Sequence, residues 1–327
     1  MVILKTVVVT GAGGHIGSNM CLELIERGYG VIAVDRDWEA LQRLPSNLLK
    51  YNMDVCSSNI DDVFFRQGKV HACIHMAADI SVPRSMQTPL EYYENNTAGS
   101  LNVMQSCIRT GVEYFLFSST AAVYGNGSGN GCSETDALLP INPYGKSKQM
   151  VETMLFDAMM CGKLKGCALR YFNVVGNDSQ QRVKDLRWKD KTNLFPTVMK
   201  SLRGEMGSLT VHGRDYFTED GTALRDYIHV TDLVKAHILA LESNLIGVFN
   251  VGTGKGHTVQ QVLNEFIRQG YKLEYHDGPR RLGDPPVLFA HSSKLENATG
   301  WKPALGLEDM VRDYANMIGV TNEEKQA

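Results

Sequence analysis

With 327 residues, 43% of them hydrophobic and 21% charged, the chain can bury a large core and reads as an ordered globular protein, not a disordered or collagenous one. A formal net charge of −3 gives no global basic field for nucleic acid or an anionic membrane, so any grip on a negative ligand has to be local. The seven cysteines show no CxxC pair and no zinc-like spacing, and no apolar stretch approaches the length of a membrane span; buried thiols in a reducing, cytoplasmic compartment are the expectation.

Residues 1–9 are apolar but run straight into a glycine loop, without a basic leader region or a cleavage site, so residues 3–9 read as a first strand. Further strands are predicted at 31–34, 48–53, 70–76, 114–118 and 167–172. Between them apolar residues recur at helical spacing, as in Ile16, Met20 and Leu24, or Val151, Leu155 and Met159; Gly28 and Gly30 are expected to stop the first helix. Alternating strands and helices predict an α/β fold, a Rossmann-type doubly wound parallel sheet. After Gly176 the pattern loosens: 177–192 is polar and charged, and helices at 233–241, 259–268 and 307–317 suggest a smaller mixed α/β lobe. The strand-like GVFNVGTG at 247–254 predicts a return to the first sheet. The resulting division is 1–176 as the first domain, with a return at about 223–252, and 177–222 plus 253–327 as the second lobe. Residues 321–327 read as a polar tail.

The segment TGAGGHIG at 10–17 follows the first strand and opens a helix. Its glycines (Gly11, Gly14 and Gly17 among them) let the backbone turn tightly and approach a pyrophosphate, while the helix N-terminus offers oriented N–H groups. Asp35 ends the second strand about 20 residues on, where a carboxylate accepts hydrogen bonds from an adenosine ribose and repels a 2′-phosphate. That favours NAD over NADP, although the adjacent Arg36 is able to accommodate such a phosphate. Asp54, ending the third strand, is placed for the adenine amino group.

Tyr144 and Lys148, in NPYGKSK, lie four residues apart at a helix start and so share a face, with Pro143 fitting the first turn. A free tyrosine has a pKa of about 10 and is a poor base at neutral pH; a nearby ammonium and a nicotinamide cation both favour its phenolate. The preceding strand ends in Ser118, Ser119 and Thr120, hydroxyls able to share a substrate proton with the tyrosine. His71 and His75 are four apart but on a strand without an acidic partner, so a metal is not expected. The basic cluster Arg182, Lys184, Arg187, Lys189 and Lys191 reads as a solvated loop face, and Met150, Met154, Met159 and Met160 as packing, partly at a subunit interface.

Taken together, TGAGGHIGS, IHMAA, PLEYYENN, FSSTAAVYG, NPYGKSK, LRYFNVVG, TEDGTALRDYIHV and RRLGDPP span nearly the whole chain. In this order they resemble the extended short-chain dehydrogenase/reductase family and, within it, the UDP-glucose/UDP-galactose 4-epimerases. The resemblance implies Tyr144 as acid and base, Thr120 as its hydroxyl partner and Lys148 as a nicotinamide-ribose contact. It places Gly11, Gly14, His15, Ile16, Gly17, Asp35, Arg36, Asp54, Val55, Met76, Ala77, Ala78, Asn96, Ser118 and Tyr171 at the cofactor. It places Ala121, Ala122, Tyr171, Phe172, Asn173, Asn193 and Leu194 near the sugar and phosphates, and Thr210, Val211 and His212 at the uracil. Arg225 and Arg281 match diphosphate ligands, for which forked cationic donors are suited, and Asp284 a ribose contact.

Within that family, dehydratases carry an Asp-Glu pair after the active-site hydroxyl; Ala121 and Ala122 stand there instead. Reductases of the fold usually take NADPH, which Asp35 disfavours. The implied reaction is reversible 4-epimerisation of a UDP-hexose through a 4-keto sugar, with transient hydride transfer to tightly bound NAD. Leu288 matches a position beside carbon 2 of the sugar, where a branched side chain favours glucose and galactose over their N-acetyl forms. A homodimer is implied, with helices near 101–108 and 151–159 as the interface. Departures from the pattern are Ile80 for a lysine, Pro83-Arg84 for Gly-Glu, Val174 for a proline after RYFN, and the whole of 177–192; they leave the sugar open. The alternatives are another NAD-dependent nucleotide-sugar enzyme (a uronate or pentose epimerase, a decarboxylase, a reductase) or a non-catalytic nucleotide-sensing protein.

Overall fold

Short runs rich in Val, Ile and Phe are too brief for helices and suit a buried pleated surface. In the structure, a computed structural model that describes residues 5–65, 68–127, 129–183, 188–190, 192–281 and 284–319, these runs pair into one parallel sheet. The first half contains β1 (Thr6–Thr10), α1 (His15–Glu26), β2 (Gly30–Asp35), α2 (Trp38–Gln42), β3 (Leu49–Asn52), α3 (Asp61–Phe65) and β4 (Val70–His75). It continues through α4 (Val82–Gln87), α5 (Pro89–Tyr92), a π-helical stretch (Tyr93–Ala98), α6 (Gly99–Thr110), β5 (Tyr114–Thr120), α7 (Pro143–Met160) and β6 (Gly166–Tyr171). The second half holds β7 (Asn173–Val175), α8 (Leu194–Leu202), β8 (Leu209–His212), β9 (Leu224–His229), α9 (Val230–Glu242) and β10 (Gly247–Val251). After these come β11 (Gly256–Thr258), α10 (Val259–Arg268), β12 (Tyr275–Gly278), β13 (Val287–Leu288), α11 (Ser293–Thr299) and α12 (Leu307–Ile318).

Among the described residues the large sheet has seven strands in the order β10-β6-β5-β4-β1-β2-β3. Because the order reverses at β1, which lies between β2 and β4, helices leave to opposite faces there and a crevice opens beyond the strand ends. β5 is buried throughout, and its alternate residues divide between the faces. Tyr114 and Leu116 join Met20 and Leu24 of α1 and Leu233 and Ile238 of α9. Phe115 and Phe117 join Val103 of α6 and Val151 and Leu155 of α7. The second lobe has its own core around Phe195, whose ring lies 5.4–5.7 Å from those of Tyr227, Phe266 and Tyr314. Its strands form two small sheets, one centred on β9, the other pairing β8 with β12.

Several details differ from the sequence-based expectation. Gly28, at φ +78°, ends the first helix, whereas Gly30 opens β2 and pairs with Thr6. β5 runs two residues beyond the predicted end, because Ser119 and Thr120 still pair with β6. The helix predicted at 233–241, grouped with the later helices by its pattern but inside the 223–252 return of the division above, packs on α1 under the large sheet, where its Leu233, Val234 and Ile238 complete that sheet's core. The start of the polar loop also lies against α1: Val183 joins the same core, and Asn19 donates to Asn177 at 3.3 Å. Arg182 is not simply solvated, being gripped by Asp178 at 2.8 and 2.9 Å and by Glu26, while Lys189 pairs with Glu205 at 2.6 Å. Lys184, Arg187 and Lys191, residues 3–4 of the first predicted strand, and the tail at 321–327 lie outside the described residues, as do positions 282–283 of RRLGDPP. No helix among the described residues is long and apolar enough to cross a membrane.

Candidate active site

The crevice begins where β1 hands over to α1. Gly11 turns the chain at φ +70°, and a Cβ there would lie 2.7 Å from the Ala77 nitrogen. At Gly17 a Cβ would sit 2.1 Å from the Gly11 carbonyl, so the helix closes on the loop only without a side chain. The α1 N-cap is Gly14, which has no side chain to take the first-turn amides of His15, Ile16 and Gly17. Those donors and the helix dipole together make a cradle for a phosphate.

Asp35, buried at the end of β2, accepts from the amides of Gly13 and Asp37, each at 2.9 Å. The carboxylate is thereby locked against the glycine loop and keeps lone pairs for ribose hydroxyls. Arg36 turns away to Asp79 at 2.8 Å, with Asn95 at 3.4 Å and Asp54 at 3.9 Å. Val55 is buried beside Asp54, its carbonyl held by Asn102 at 2.8 Å. The amides of Met76 and Ala77, just past β4, donate to the Thr10 hydroxyl at 3.2 and 3.3 Å, and Ala78 continues that wall. His75 spans Thr10 and Ser100, 2.7 Å from each, and burial pushes its pKa down to about 3. His71 accepts the Thr6 amide at 2.9 Å. Asn96 takes the Asp79 amide at 2.8 Å and donates to the Asp79 carbonyl at 2.9 Å and Ser147 at 3.1 Å. It thus pins the loop after β4 to α7. A glycine cradle, a carboxylate beyond it and an arginine occupied by two acids suit NAD and disfavour a 2′-phosphate.

At the other end of the crevice Asn142 caps α7 by accepting the Gly145 amide at 2.8 Å, with Pro143 in the first turn. This fixes Tyr144 beside Thr120, whose hydroxyl bonds the phenol and also accepts the Ala122 amide at 3.2 Å. One turn on, the Lys148 ammonium donates to the Ser118 carbonyl at 2.9 Å and lies 4.8 Å from the centre of the Phe117 ring. Burial lowers the Lys148 pKa to about 7, against the opposing field of Glu152. The Tyr144 pKa is raised, first by desolvation, with the Thr120 hydrogen bond working the other way. This corrects the sequence-based picture of an ammonium activating the phenol: here Lys148 points at Ser118, and burial prevails. The Ser118 hydroxyl bonds Tyr171 and lies 3.4 Å from His237.

Facing this end, Ala121, Phe172 and Leu288 pack with Tyr124 and Cys132, and Ala122 opens the short turn after β5. Asn173 bonds the hydroxyl of Tyr227, which also feels the charges of Arg225 and Asp284. These four residues therefore converge from three segments: Asn173 on β7, Arg225 and Tyr227 two apart on β9, and Asp284 before β13. Arg225 donates to the Leu224 carbonyl at 2.8 Å, and exposed Arg281 reaches the Thr192 carbonyl at 3.4 Å. Asn193 stands at the N-cap position of α8 without a side-chain cap bond, and Leu194 begins the helix. On β8 Val211 is buried, Thr210 and His212 face His276 and the Pro279 carbonyl at 3.1 and 3.0 Å, and the strand's second edge pairs with no strand among the described residues.

Sequence reading passed over Asp79, which occupies Arg36, and the buried Glu152–Arg170 pair behind Lys148. A charged residue four positions after Lys148 on the same helix face was the available signal for Glu152; nothing local marks Asp79.

Comparison with known proteins agrees with this geometry. The profile of the NAD dependent epimerase/dehydratase family matches residues 7–252. The chain is 38% identical to the UDP-glucose 4-epimerase of Lactobacillus helveticus, over 91% of this chain and 92% of that one. Among solved structures it is similar to a UDP-glucose 4-epimerase of Stenotrophomonas maltophila with bound NAD and formylated UDP-arabinopyranose. The TM-score is 0.91 at 34% identity, covering 96% of this chain and 97% of the other. It is also similar to the UDP-Glc/GlcNAc 4-epimerase of Campylobacter jejuni, with a TM-score of 0.83 at 35% identity, covering 99% and 100%. A likeness sustained over both lobes, not the nucleotide fold alone, makes this chain a member of the NAD-dependent epimerase/dehydratase family.

Proposed function

We propose that the chain is an NAD-dependent epimerase that interconverts UDP-glucose and UDP-galactose by inverting carbon 4. The observation that carries the reading is the Tyr144–Thr120 pair, set at one end of a crevice whose other end is the glycine cradle and Asp35. NAD bound there would supply a reversible hydride acceptor for carbon 4. Gly11, Gly14, the amides of His15, Ile16 and Gly17, and Asp35 would hold that cofactor, with Asp54, Val55, Met76, Ala77, Ala78 and Asn96 as its walls. Tyr144 takes the proton of the 4-hydroxyl and later gives it back; Thr120 shares that hydrogen bond, and Lys148 supplies positive charge against the cofactor ribose. Burial raises the Tyr144 pKa, so positive charge beside the phenol would favour its ionised form. Arg225 and Arg281 clamp the diphosphate, Asp284 the uridine ribose and the free edge of β8 the uracil, leaving the sugar free to present either face to Tyr144.

Leu288 lies among Ala121, Tyr124, Phe172 and Cys132, and a side chain at Gly127 would meet its Cδ1 at 3.3 Å. An N-acetyl group has to displace this branched side chain, and overpacking costs about 1–3 kcal/mol, roughly a 5–150-fold preference for the plain hexoses. Purified protein given UDP-galactose without added cofactor should yield UDP-glucose, and UDP-N-acetylgalactosamine should turn over far less efficiently. No conversion of UDP-galactose, even with NAD supplied, would sink the assignment. Seven free cysteines support a reducing, cytoplasmic setting. Exposed Leu101 and Ile108 on α6 and Met150 on α7 support a homodimer through these helices. Val151 and Leu155, within the stretch expected at that interface, are instead committed to the core.

A further inference from the structure

A band of buried polar groups runs behind Tyr144 and Lys148 and takes no part in the chemistry above. Tyr144, Lys148 and Glu152 follow one another every four residues on α7 and share a face. The Glu152 carboxylate accepts from the Ser119 hydroxyl at 2.5 Å and from the Arg170 Nε and Nη2 at 2.9 and 2.6 Å. Arg170 also donates to the Tyr124 hydroxyl at 3.0 Å, which donates to Asn250 at 2.6 Å. The two charged side chains are only 3% and 2% exposed. A buried ion pair is rarely better for stability than apolar groups of the same volume, so packing alone gives no reason for it. Its position does. Ser119 stands between Ser118, whose carbonyl receives the Lys148 ammonium, and Thr120, whose hydroxyl meets Tyr144. A carboxylate that grips Ser119 from α7 fixes both neighbouring contacts at once.

We propose that Glu152, gripped by Arg170, is the positioning residue of the acid–base site, holding β5 in register with α7 through Ser119 and placing a carboxylate opposite the Lys148 ammonium. This rests on the role given above to Tyr144 and Lys148. The groups around Lys148 are Glu152 and Tyr144 on its own helix, Phe117 and Ser118 on β5, and His75 on β4, with Arg170 on β6 beyond Glu152. Burial keeps His75 neutral, and Arg170 is occupied by Glu152. Among the charged side chains just named, the carboxylate is the one that favours the ammonium against desolvation, beside the neutral Ser118 carbonyl and the Phe117 ring.

Glu152→Gln in the holoenzyme keeps the shape and removes the charge. We expect kcat to fall at least tenfold, with KM for UDP-galactose within twofold of the parent. Without the carboxylate Lys148 gives up its proton at lower pH, so the limb on which kcat declines with rising pH should move down by half a unit or more. Glu152→Gln strands the Arg170 charge and endangers folding, so Glu152→Gln/Arg170→Gln is measured beside it. The displaced pH limb should persist in that neutral pair, because Lys148 still lacks its counter-charge. A parental pH profile in the folded variants, or full recovery of kcat in the double variant, overturns the proposal. Tyr144→Phe in the same assay separates the two readings: if it stays fully active, the acid–base assignment itself fails, whatever Glu152 does.

Discussion

The two ends of the crevice are built on different principles. Around Tyr144 and Lys148 the polar groups lie inside the sheet and helix layers, and nearly all are already bonded to one another: Lys148 to Ser118, Tyr144 to Thr120, Glu152 to Arg170. Around Arg225, Arg281 and Asp284 the charges sit on loops and a short strand, and their contacts are with backbone carbonyls or at long range. A reacting atom has to be met by groups already in place, because reorganisation during the reaction adds to its barrier. A diphosphate brings enough charge to order its own ligands on arrival. Rigidity is thus concentrated where bonds change, and adaptability where the substrate is only held.

Two substitutions test that contrast, the larger effect first. Tyr144→Phe keeps the ring and removes the proton-transfer group, so kcat should fall by about 10²–10⁴-fold while UDP affinity, read by calorimetry, stays near the parent. An equal loss of UDP binding would mean that the two ends are not separable. Arg225→Ala should do the opposite. Losing a charge-assisted hydrogen bond costs about 1.5–3 kcal/mol, hence roughly a 10–150-fold rise in KM with kcat nearly intact. A large fall in kcat instead would place Arg225 in the preassembled end.

The smallest effect concerns acid stability. Burial depresses the folded-state pKa of His75 to about 3 and of His237 to about 4, whereas an unfolded histidine titrates near 6.5. Above pH 6.5 both states hold the rings neutral and the folded chain keeps its full stability. Below it the unfolded chain binds protons that the folded chain refuses, so stability is lost as pH falls toward the folded values. Denaturant unfolding between pH 7 and pH 5 should show a slope approaching about 1.4 kcal/mol per pH unit for each histidine. His237→Gln should remove one such contribution, and an unchanged slope would show that the ring is protonated within the fold.

Much of this was legible in the chain because it is local. A glycine run between a strand and a helix, an acid at the next strand's end, a tyrosine and lysine one helical turn apart: each is set by backbone geometry over a few residues. The parallel sheet followed from alternating periodicities, and β1 to β6 lie within a few residues of their predicted places. Side-chain commitments were another matter. Arg36 faces the strand end next to Asp35, and only the folding of the β4 loop brings Asp79 within 2.8 Å of it. Val151 reads like any apolar interface residue until α7 is laid on the sheet and buries it. Whether Lys148 would lower the Tyr144 pKa depended on where a flexible ammonium pointed and how much water remained, which spacing does not encode. Glu152 and Arg170 lie on the consecutive elements α7 and β6, and Asn173, Arg225 and Asp284 on more distant segments; each set meets only when separate strands and helices close on one another. Sequence by itself determined the periodic elements and the short motifs that seat a dinucleotide and an acid–base pair. Tertiary structure decided which charges are satisfied, which are buried and which stay free for a ligand, because desolvation and pairing are properties of the space around a group, not of its neighbours along the chain.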